Sequence, residues 1–264
     1  MSPRPPLSEL FPPGPFRFHL TLKRGDAREF FGPQDPTGRL LAERAKWIDA
    51  DPPRYADLQP EGEPLLAELG ELAAREWGIA GVTSVRELGR RLEPDMLLLA
   101  PDADGAYRLR GGALCFPTGW ALEEKMGQTL DDIHGVVPGL NAALAAPINQ
   151  FLSRLKPGAV FFRDNWGIVT TDELNLHTSR RAPAPALPVQ LDRLWLRLEY
   201  QALLSLPRTR GVLFGIRLGL HRLDDVARDP EAAAGLRNAL ATMPLEMAAY
   251  KRLDGIRSKL IECV

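Results

Sequence analysis

Residues 114–166 read LCFPTGWALEEKMGQTLDDIHGVVPGLNAALAAPINQFLSRLKPGAVFFRDNW, and the predicted fold is organised around this stretch. It holds two of the five tryptophans, one of the two cysteines, and His134 at the end of a helical pattern. Apolar residues have helical spacing up to residue 155, whereas residues 159–169 alternate as in a strand. The stretch therefore predicts a helical insert leading into a strand, with residue types found in ligand-binding segments.

The insert is predicted to have two helical parts. Residues 120–134 form the first part, interrupted at Gly127, with Thr129 as a second N-cap. His134 stands at its end, where an imidazole can interact with the last carbonyl groups or project into a pocket from a rigid helix end. Residues 140–155 form the second part.

Strands are predicted on both sides of this insert. Asp104-Gly105 marks a hairpin between the first two strands. Residues 194–201 fit either a helix or a strand, and we assign a strand followed by a helical turn that reaches Leu206-Pro207. Short strands around a helical segment predict an antiparallel sheet. The strands lie near residues 96–100, 106–116, 159–169, 194–200 and 211–220.

Helices are predicted before and after these strands, and the fold class is therefore α+β. Ser84 and Asp229 are of the type favoured at an N-cap, and proline is favoured in the first turn of a helix. The helices lie at residues 40–48 and 64–77, from Ser84, from Asp229, and from Pro244 to about residue 257.

The N-terminus is predicted to hold no helix. Residues 1–15 are an irregular proline-rich arm, because proline lacks a backbone donor. Residues 16–22 alternate between apolar and polar side chains, which predicts a half-buried strand. His19 then faces away from the apolar side, as a surface or edge histidine.

Alternation along the strands groups polar side chains. Arg163 and Asn165 share one face of their strand, and Trp166 points to the other. Arg197 and Glu199 share one face of the next strand. The sequence therefore predicts two short polar stripes.

Arg217 lies between two glycines of the last strand, Gly215 and Gly219. Glycine leaves room for a flat group to lie against the backbone, but it also occurs at bulges under a packed helix. Both interpretations remain open for this strand.

Composition and motifs argue against several classes of protein. The 264 residues carry 33 Lys+Arg against 34 Asp+Glu, which leaves no excess positive charge for nucleic acid. Two distant cysteines fit a reducing cytoplasm, and no apolar run approaches the ~18 residues of a membrane span. No G-x-G-x-x-G, Walker, C-x-x-C or H-E-x-x-H motif is present, so nicotinamide and iron–sulfur sites are not indicated.

Three blocks carry a resemblance to a known family. They read CFPTGWALEEKMGQTLDDIHGVVPGLN, PINQFLSRLKPGAVFFRDNW and LWLRLEYQALLSLPRTRGVLFGIRLGL. In this order they resemble the haem-binding subunit of the haem-dependent oxidative N-demethylase family, over about residues 16–255. The resemblance implies one PAS-like haem-binding domain at residues 16–264: an antiparallel sheet with a helical insert, extended by N- and C-terminal helices.

The resemblance also implies a chemistry. Haem b would activate dioxygen to oxidise an N-methyl group of a small methylated amine such as dimethylamine, releasing formaldehyde. Electrons would come from a partner reductase subunit carrying flavin, nicotinamide or iron–sulfur sites. The missing redox motifs agree with this division of labour in a cytoplasmic protein that binds neither nucleic acid nor membrane.

Roles for individual residues follow as hypotheses from the resemblance. His134 is the expected axial iron ligand, whereas the apolar flank of Cys115 indicates a core residue. Glu199 could hold a protonated amine or relay protons, with Asn165 and Trp166 lining the pocket. Arginines suit haem propionates, although they can equally cover apolar neighbours at the surface. The residues expected against the cofactor are Arg163, Arg197, Gly215 and Arg217.

Two other functions fit the same residues. A haem-PAS sensor would bind a gas or respond to redox state without turnover, and a non-haem subunit of the same fold would bind a small molecule. The sequence departs from the family's expected neighbours at Ile-His-Gly-Val-Val-Pro and at Glu-Tyr-Gln. These departures leave the substrate and the activity open.

Overall fold

The computed structural model describes residues 6–180 and 182–264. At its centre is an antiparallel sheet in which seven strands of the described chain follow the order β1-β5-β6-β7-β3-β4-β2. Together with the helices around it, the sheet confirms the predicted α+β class. The strands are β1 (Lys23–Arg24), β2 (Ala56–Leu58), β3 (Asp95–Pro101), β4 (Tyr107–Ala113), β5 (Val160–Val169), β6 (Trp195–Ser205) and β7 (Val212–Arg222).

Helices fall into three groups along the chain. The first group precedes β3, the second is the predicted insert between β4 and β5, and the third follows β7. The first comprises α1 (Ala27–Phe31), α2 (Arg39–Ala50), α3 (Pro52–Tyr55), α4 (Glu63–Trp77) and α5 (Val85–Arg91). The insert comprises α6 (Leu130–His134) and α7 (Leu140–Ser153). The third comprises α8 (Leu223–Arg228), α9 (Pro230–Thr242), α10 (Leu245–Tyr250) and α11 (Arg257–Cys263).

Several helix boundaries confirm the predicted capping residues. Ser84 Oγ accepts a hydrogen bond from the Glu87 amide at 3.1 Å, at the start of α5. Thr129 begins α6 with a reciprocal capping box to Asp132. Gly78, with φ of 72°, ends α4 in the left-handed conformation that glycine adopts without steric cost.

The two faces of the sheet carry different layers. The insert face packs against α6 and α7, with Leu144, Ile148 and Leu152 of α7 buried in that cluster. The opposite face, here the terminal-helix face, is covered by α4 and α5 at one end and by α8, α9 and α11 at the other. Both layers exclude water from apolar side chains, which is the main contribution to stability.

The N-terminal residues differ from the prediction. No strand forms at residues 16–22, and β1 contains only the next two residues. The predicted alternation survives in burial, because Phe16, Phe18 and Leu20 are partly buried while His19 is exposed. In the described part of the proline-rich arm, residues 7–10 form a short 3-10 helix that buries Leu10.

Three further boundaries were predicted wrongly. Residues 120–127 form turns rather than a helix, since Gly119 and Gly127 have φ of 73° and 76°. β6 continues to Ser205 where a helical turn was expected, because it pairs with β7 over its whole length. The last predicted helix, from Pro244 to about residue 257, ends already at Tyr250, since Arg252 adopts a φ of 59°, and α11 begins only where the predicted helix was expected to end. Among the helices of the described chain, none has both the length and the apolar composition to span a bilayer.

Candidate functional site

Strand pairing brings polar side chains together on the insert face. Asn165 of β5 lies opposite Glu199 of β6, Gly167 lies opposite Arg197, and Arg163 lies opposite Gln201. Directly opposed residues in an antiparallel pair point to the same face of the sheet. The two polar stripes predicted from alternation therefore form one polar surface.

Glu199 is the centre of a hydrogen-bond network on this surface. Its side chain is buried, with 8% of the residue exposed. Thr118 Oγ1 donates to Oε1 at 2.7 Å, while Gln201 Nε2 and Asn165 Nδ2 donate to Oε2 at 2.8 and 3.3 Å. All three groups donate to the carboxylate oxygens.

Arg197 is committed to the protein itself. It is 1% exposed, and its Nε donates to Thr118 Oγ1 at 2.9 Å. Burial lowers the pKa of Arg197 to about 10, and the charge of Glu199 acts in the opposite direction. Its remaining donors join two loops and are not available to a ligand. They bind the carbonyl oxygens of Phe116, Pro117, Glu173 and Leu174.

Arg163 has the opposite character. Within residues 6–180 and 182–264 its guanidinium makes no hydrogen bond and no ion pair, although it is only partly exposed. Burial lowers the pKa of Arg163, while the charges of Glu199 and Asp164 act in the opposite direction. A partly buried arginine with free donors is suited to binding a carboxylate or phosphate.

His134 ends α6 next to this surface. Its Nδ1 is buried and has no hydrogen-bond partner among the described residues. Burial lowers the pKa of His134, the charge of Arg163 adds to this effect, and Asp131 opposes it. The imidazole is therefore neutral at pH 7, which is the form that binds metals.

Gly167 completes the surface and was not identified from the sequence. A Cβ atom at this position would meet nothing within 4 Å, so the space above its backbone is open. The available signal was its place two residues after Asn165, on the same face of β5. A flat group can approach the strand closely here.

Trp166 lies on the other face of the sheet from Asn165. It is opposite Leu198 and packs against the C-terminal helices, with its ring 5.4 Å from that of Phe11. The structure therefore does not bring Trp166 to Glu199. Its alternation with Asn165 already indicated the separation.

Gly215 and Arg217 also lie on the terminal-helix face. A Cβ at Gly215 would come within 2.5 Å of the Phe31 ring, so the flat group against this glycine is a core phenylalanine. Arg217 donates to Glu93 Oε2 at 2.6 Å and to the carbonyl oxygens of Phe30 and Gly32 at 2.7 Å. Of the three arginines expected to converge, only Arg163 and Arg197 share a face.

A separate cleft of about 650 Å³ lies beside Arg217 and Glu93. Its lining does not include Glu199, Asn165, Arg163 or His134, and the buried ion pair at its wall is already satisfied. Cys115 lies in a small core cluster, and burial raises the pKa of its thiol to about 12. These features do not contribute to the insert-face surface.

Lys251, after α10, borders the site from the C-terminal end of the chain. Its Nζ donates to the Trp166 carbonyl oxygen at 2.6 Å and lies 4.8 Å from the centre of the indole ring. Burial lowers the pKa of Lys251 from 10.5 to about 8, and Glu199 acts in the opposite direction.

Lys251→Met is expected to change how stability depends on pH. The native lysine loses its proton near pH 8, whereas the unfolded one holds it to about 10.5, so raising pH across this window favours the native state. Between pH 7 and 10.5 the wild type should gain about 2–3 kcal/mol relative to Lys251→Met in urea unfolding. Lys46→Met, at an exposed lysine, is the control and should follow the wild type; a Lys251→Met slope equal to the wild-type slope would contradict the prediction.

A family model described as haem-dependent oxidative N-demethylase, alpha subunit-like, matches residues 73–261. The match covers well over half of the chain and includes β3 to β7, the insert and every residue of the insert-face surface. The chain belongs to this family.

Proposed function

We propose that the protein catalyses haem-dependent oxidative N-demethylation of a small methylated amine at the insert-face surface. The observation that supports this most directly is that the buried carboxylate of Glu199 shares one face of the sheet with Arg163, which makes no hydrogen bond or ion pair with the described residues. The Glu199 carboxylate suits a cationic substrate, and the Arg163 guanidinium suits the anionic propionates of a haem. The family match supports the same reaction class.

The residues present fit haem b. A haem site needs a protein ligand for iron, open space against the protein for a flat ring, and cations for the propionates. Gly167 offers open backbone. Within the described part of the chain, His134 offers a neutral imidazole with a buried unpartnered nitrogen, and Arg163 offers guanidinium donors that make no hydrogen bond. When bound, haem would supply the activation of dioxygen that oxidises the methyl group.

Glu199 and Asn165 would bind the amine. The carboxylate would accept a hydrogen bond from the ammonium at Oε2, where its present partner, Asn165 Nδ2, is at a long 3.3 Å. Oε2 could then take a proton from the ammonium, leaving the neutral amine for oxidation. We therefore assign Glu199 and Asn165 to the substrate, His134 and Arg163 to the cofactor, and Arg197 to positioning.

Formaldehyde and the demethylated amine would be the organic products, and the reaction would consume dioxygen, two electrons and two protons and release one water. The chain has no nicotinamide or iron–sulfur motif, and the alpha-subunit-like family supports a partner subunit as the electron source. A PAS-like architecture is part of the proposal. It is supported by the five long strands β3 to β7, which are adjacent in one sheet with the insert between the second and third.

The test is to purify the protein with haem supplied and record its absorption with and without carbon monoxide after reduction. His134→Ala should lose or shift the Soret band, whereas His19→Ala, at an exposed histidine in residues 16–22, should keep the wild-type spectrum. Loaded wild type with reductant, oxygen and dimethylamine should release formaldehyde. An unchanged His134→Ala spectrum would remove His134 as the ligand. Haem uptake without formaldehyde from any methylamine would favour a sensor, and no uptake would favour a non-haem subunit.

A further inference from the structure

We propose that Thr118 is a positioning residue that uses Arg197 to hold Glu199 as an oriented anion, so that the site selects protonated amines over neutral N-methyl amides. The substrate class rests on the proposed function. The positioning of Glu199 rests on the structure of this network. Thr118 is not part of any strand or helix and carried no recognisable signal in the sequence.

The direction of the hydrogen bonds is fixed by chemistry. The Nε of arginine can only donate, so Thr118 Oγ1 accepts from Arg197 at 2.9 Å. The single hydroxyl proton of Thr118 is then directed to Glu199 Oε1 at 2.7 Å. Oε1 accepts this hydrogen bond, and this pairing does not depend on how the amides of Asn165 and Gln201 are oriented.

Thr118 is held in place from several directions. It forms a parallel bridge with Leu176, where the Gly119 amide donates to the Leu176 carbonyl oxygen at 2.9 Å. Arg197 binds carbonyl oxygens in both of the loops that meet at this bridge. The hydroxyl of Thr118 is thus fixed in position before any ligand binds, which avoids an ordering cost during binding.

Charged and titratable groups from three elements face Glu199. Arg163 comes from β5, Arg197 from β6, Tyr250 from the end of α10, and Lys251 from the residue directly after it. Burial raises the pKa of Tyr250, and the charge of Glu199 adds to this effect. Burial lowers the pKa of Lys251, and the charge of Glu199 opposes this effect. Arg163 is assigned to the cofactor, and the donors of Arg197 are all bound to protein oxygens. The Glu199 carboxylate therefore remains available for a cationic ligand.

A fixed anion distinguishes ligands by charge. A charge-assisted hydrogen bond from an ammonium to a carboxylate is roughly twice as strong as one between neutral groups. A neutral N-methyl amide can occupy the same volume and donate an N–H, but it does not neutralise the buried charge. Specificity for cationic amines thus depends on Glu199 remaining ionised, and Thr118 contributes to that state.

The experiment compares the haem-loaded wild type with Thr118→Val and Thr118→Ser. Calorimetric titration measures affinity for dimethylammonium and for N-methylformamide, and infrared spectroscopy measures protonated carboxyl groups. Thr118→Val should lose about tenfold or more in dimethylammonium affinity, since a hydrogen bond to a charged group is removed. It should also show a carboxylic acid band at neutral pH that disappears when Glu199→Gln is added. Thr118→Ser should restore most of the affinity.

Unchanged affinity and no new infrared band in Thr118→Val would overturn the inference, even if the wild type releases formaldehyde. If the wild type binds amines but releases no formaldehyde, the proposed reaction fails, whereas the binding and infrared results still decide the role of Thr118. Should Thr118→Val fail to fold, Glu199→Gln and Thr118→Ser remain. Glu199→Gln must lose the preference for the cation over the amide and Thr118→Ser must keep it; any other result overturns the inference.

Discussion

Asp95→Asn is expected to lower the free energy of unfolding by about 3–5 kcal/mol, because it leaves a buried guanidinium without its counter-ion. Arg44 and Asp95 are 0% and 1% exposed, and their ion pair measures 2.6 Å. The Asp95 carboxylate also accepts from the amides of Cys115 and Phe116 at 2.6 and 3.0 Å. The substitution removes the charge while keeping the shape, so the loss reports electrostatics rather than a cavity.

Urea unfolding at neutral pH measures this loss. Asp49→Asn is the matched control, because Asp49 pairs with Arg90 at the surface and its side chain is 61% exposed. Exposed pairs contribute ~0–1 kcal/mol, so the control should remain close to the wild type. If Asp95→Asn lowered the free energy of unfolding by less than about 1 kcal/mol, other groups would have to compensate the Arg44 charge, and the prediction would be contradicted.

Arg217→Met is the second substitution with a large expected effect, again about 3–5 kcal/mol of unfolding free energy. It would leave Glu93 buried with an uncompensated charge, and it would remove the donors to the Phe30 and Gly32 carbonyl oxygens. The folded fraction should bind haem as tightly as the wild type does. Arg217 and the proposed cofactor surface lie on opposite faces of the sheet.

Arg163→Met provides the comparison for this result. Arg163 makes no hydrogen bond or ion pair with the described residues, and burial opposes its charge, so its loss should leave apo stability unchanged or slightly higher. Haem affinity should fall instead. Denaturant unfolding and haem titration on both variants check the pair of expectations. If Arg217→Met were stable but bound haem more weakly than the wild type, the prediction would be contradicted, and Arg217 would have a role in cofactor binding.

Sequence periodicity was sufficient to predict features that depend only on neighbouring residues of the chain, such as the face of a strand to which a side chain points. Alternation correctly grouped Arg163 with Asn165 and Arg197 with Glu199, because successive side chains of any strand point to opposite faces. The pairing register of β5 and β6 joins these two groups into one surface. This register depends on contacts between residues that are distant in sequence. Alternation at residues 16–22 predicted burial correctly and hydrogen bonding wrongly, because burial of one side does not require a neighbouring strand.

Partners distant in sequence were the main obstacle to predicting the site. Arg217 is satisfied by Glu93 and by carbonyl oxygens at the end of α1, so its function in the core is not visible in its own strand. Gly215 and Gly167 are both strand glycines, yet a phenylalanine ring covers one and open space lies above the other. Thr118 acquires its importance from Arg197 and Glu199, which follow it by 79 and 81 residues.

The alternation within β5 also limits how this strand can change during evolution. Asn165 faces the candidate site, while Trp166 packs in the core. A shift of the strand register by a single residue would exchange the faces to which these two side chains point. A deletion of one codon within the strand would place an indole in the pocket and an amide in the core. Substitutions on β5 are therefore easier to tolerate than changes in its length, and related chains should vary here in composition before they vary in residue count.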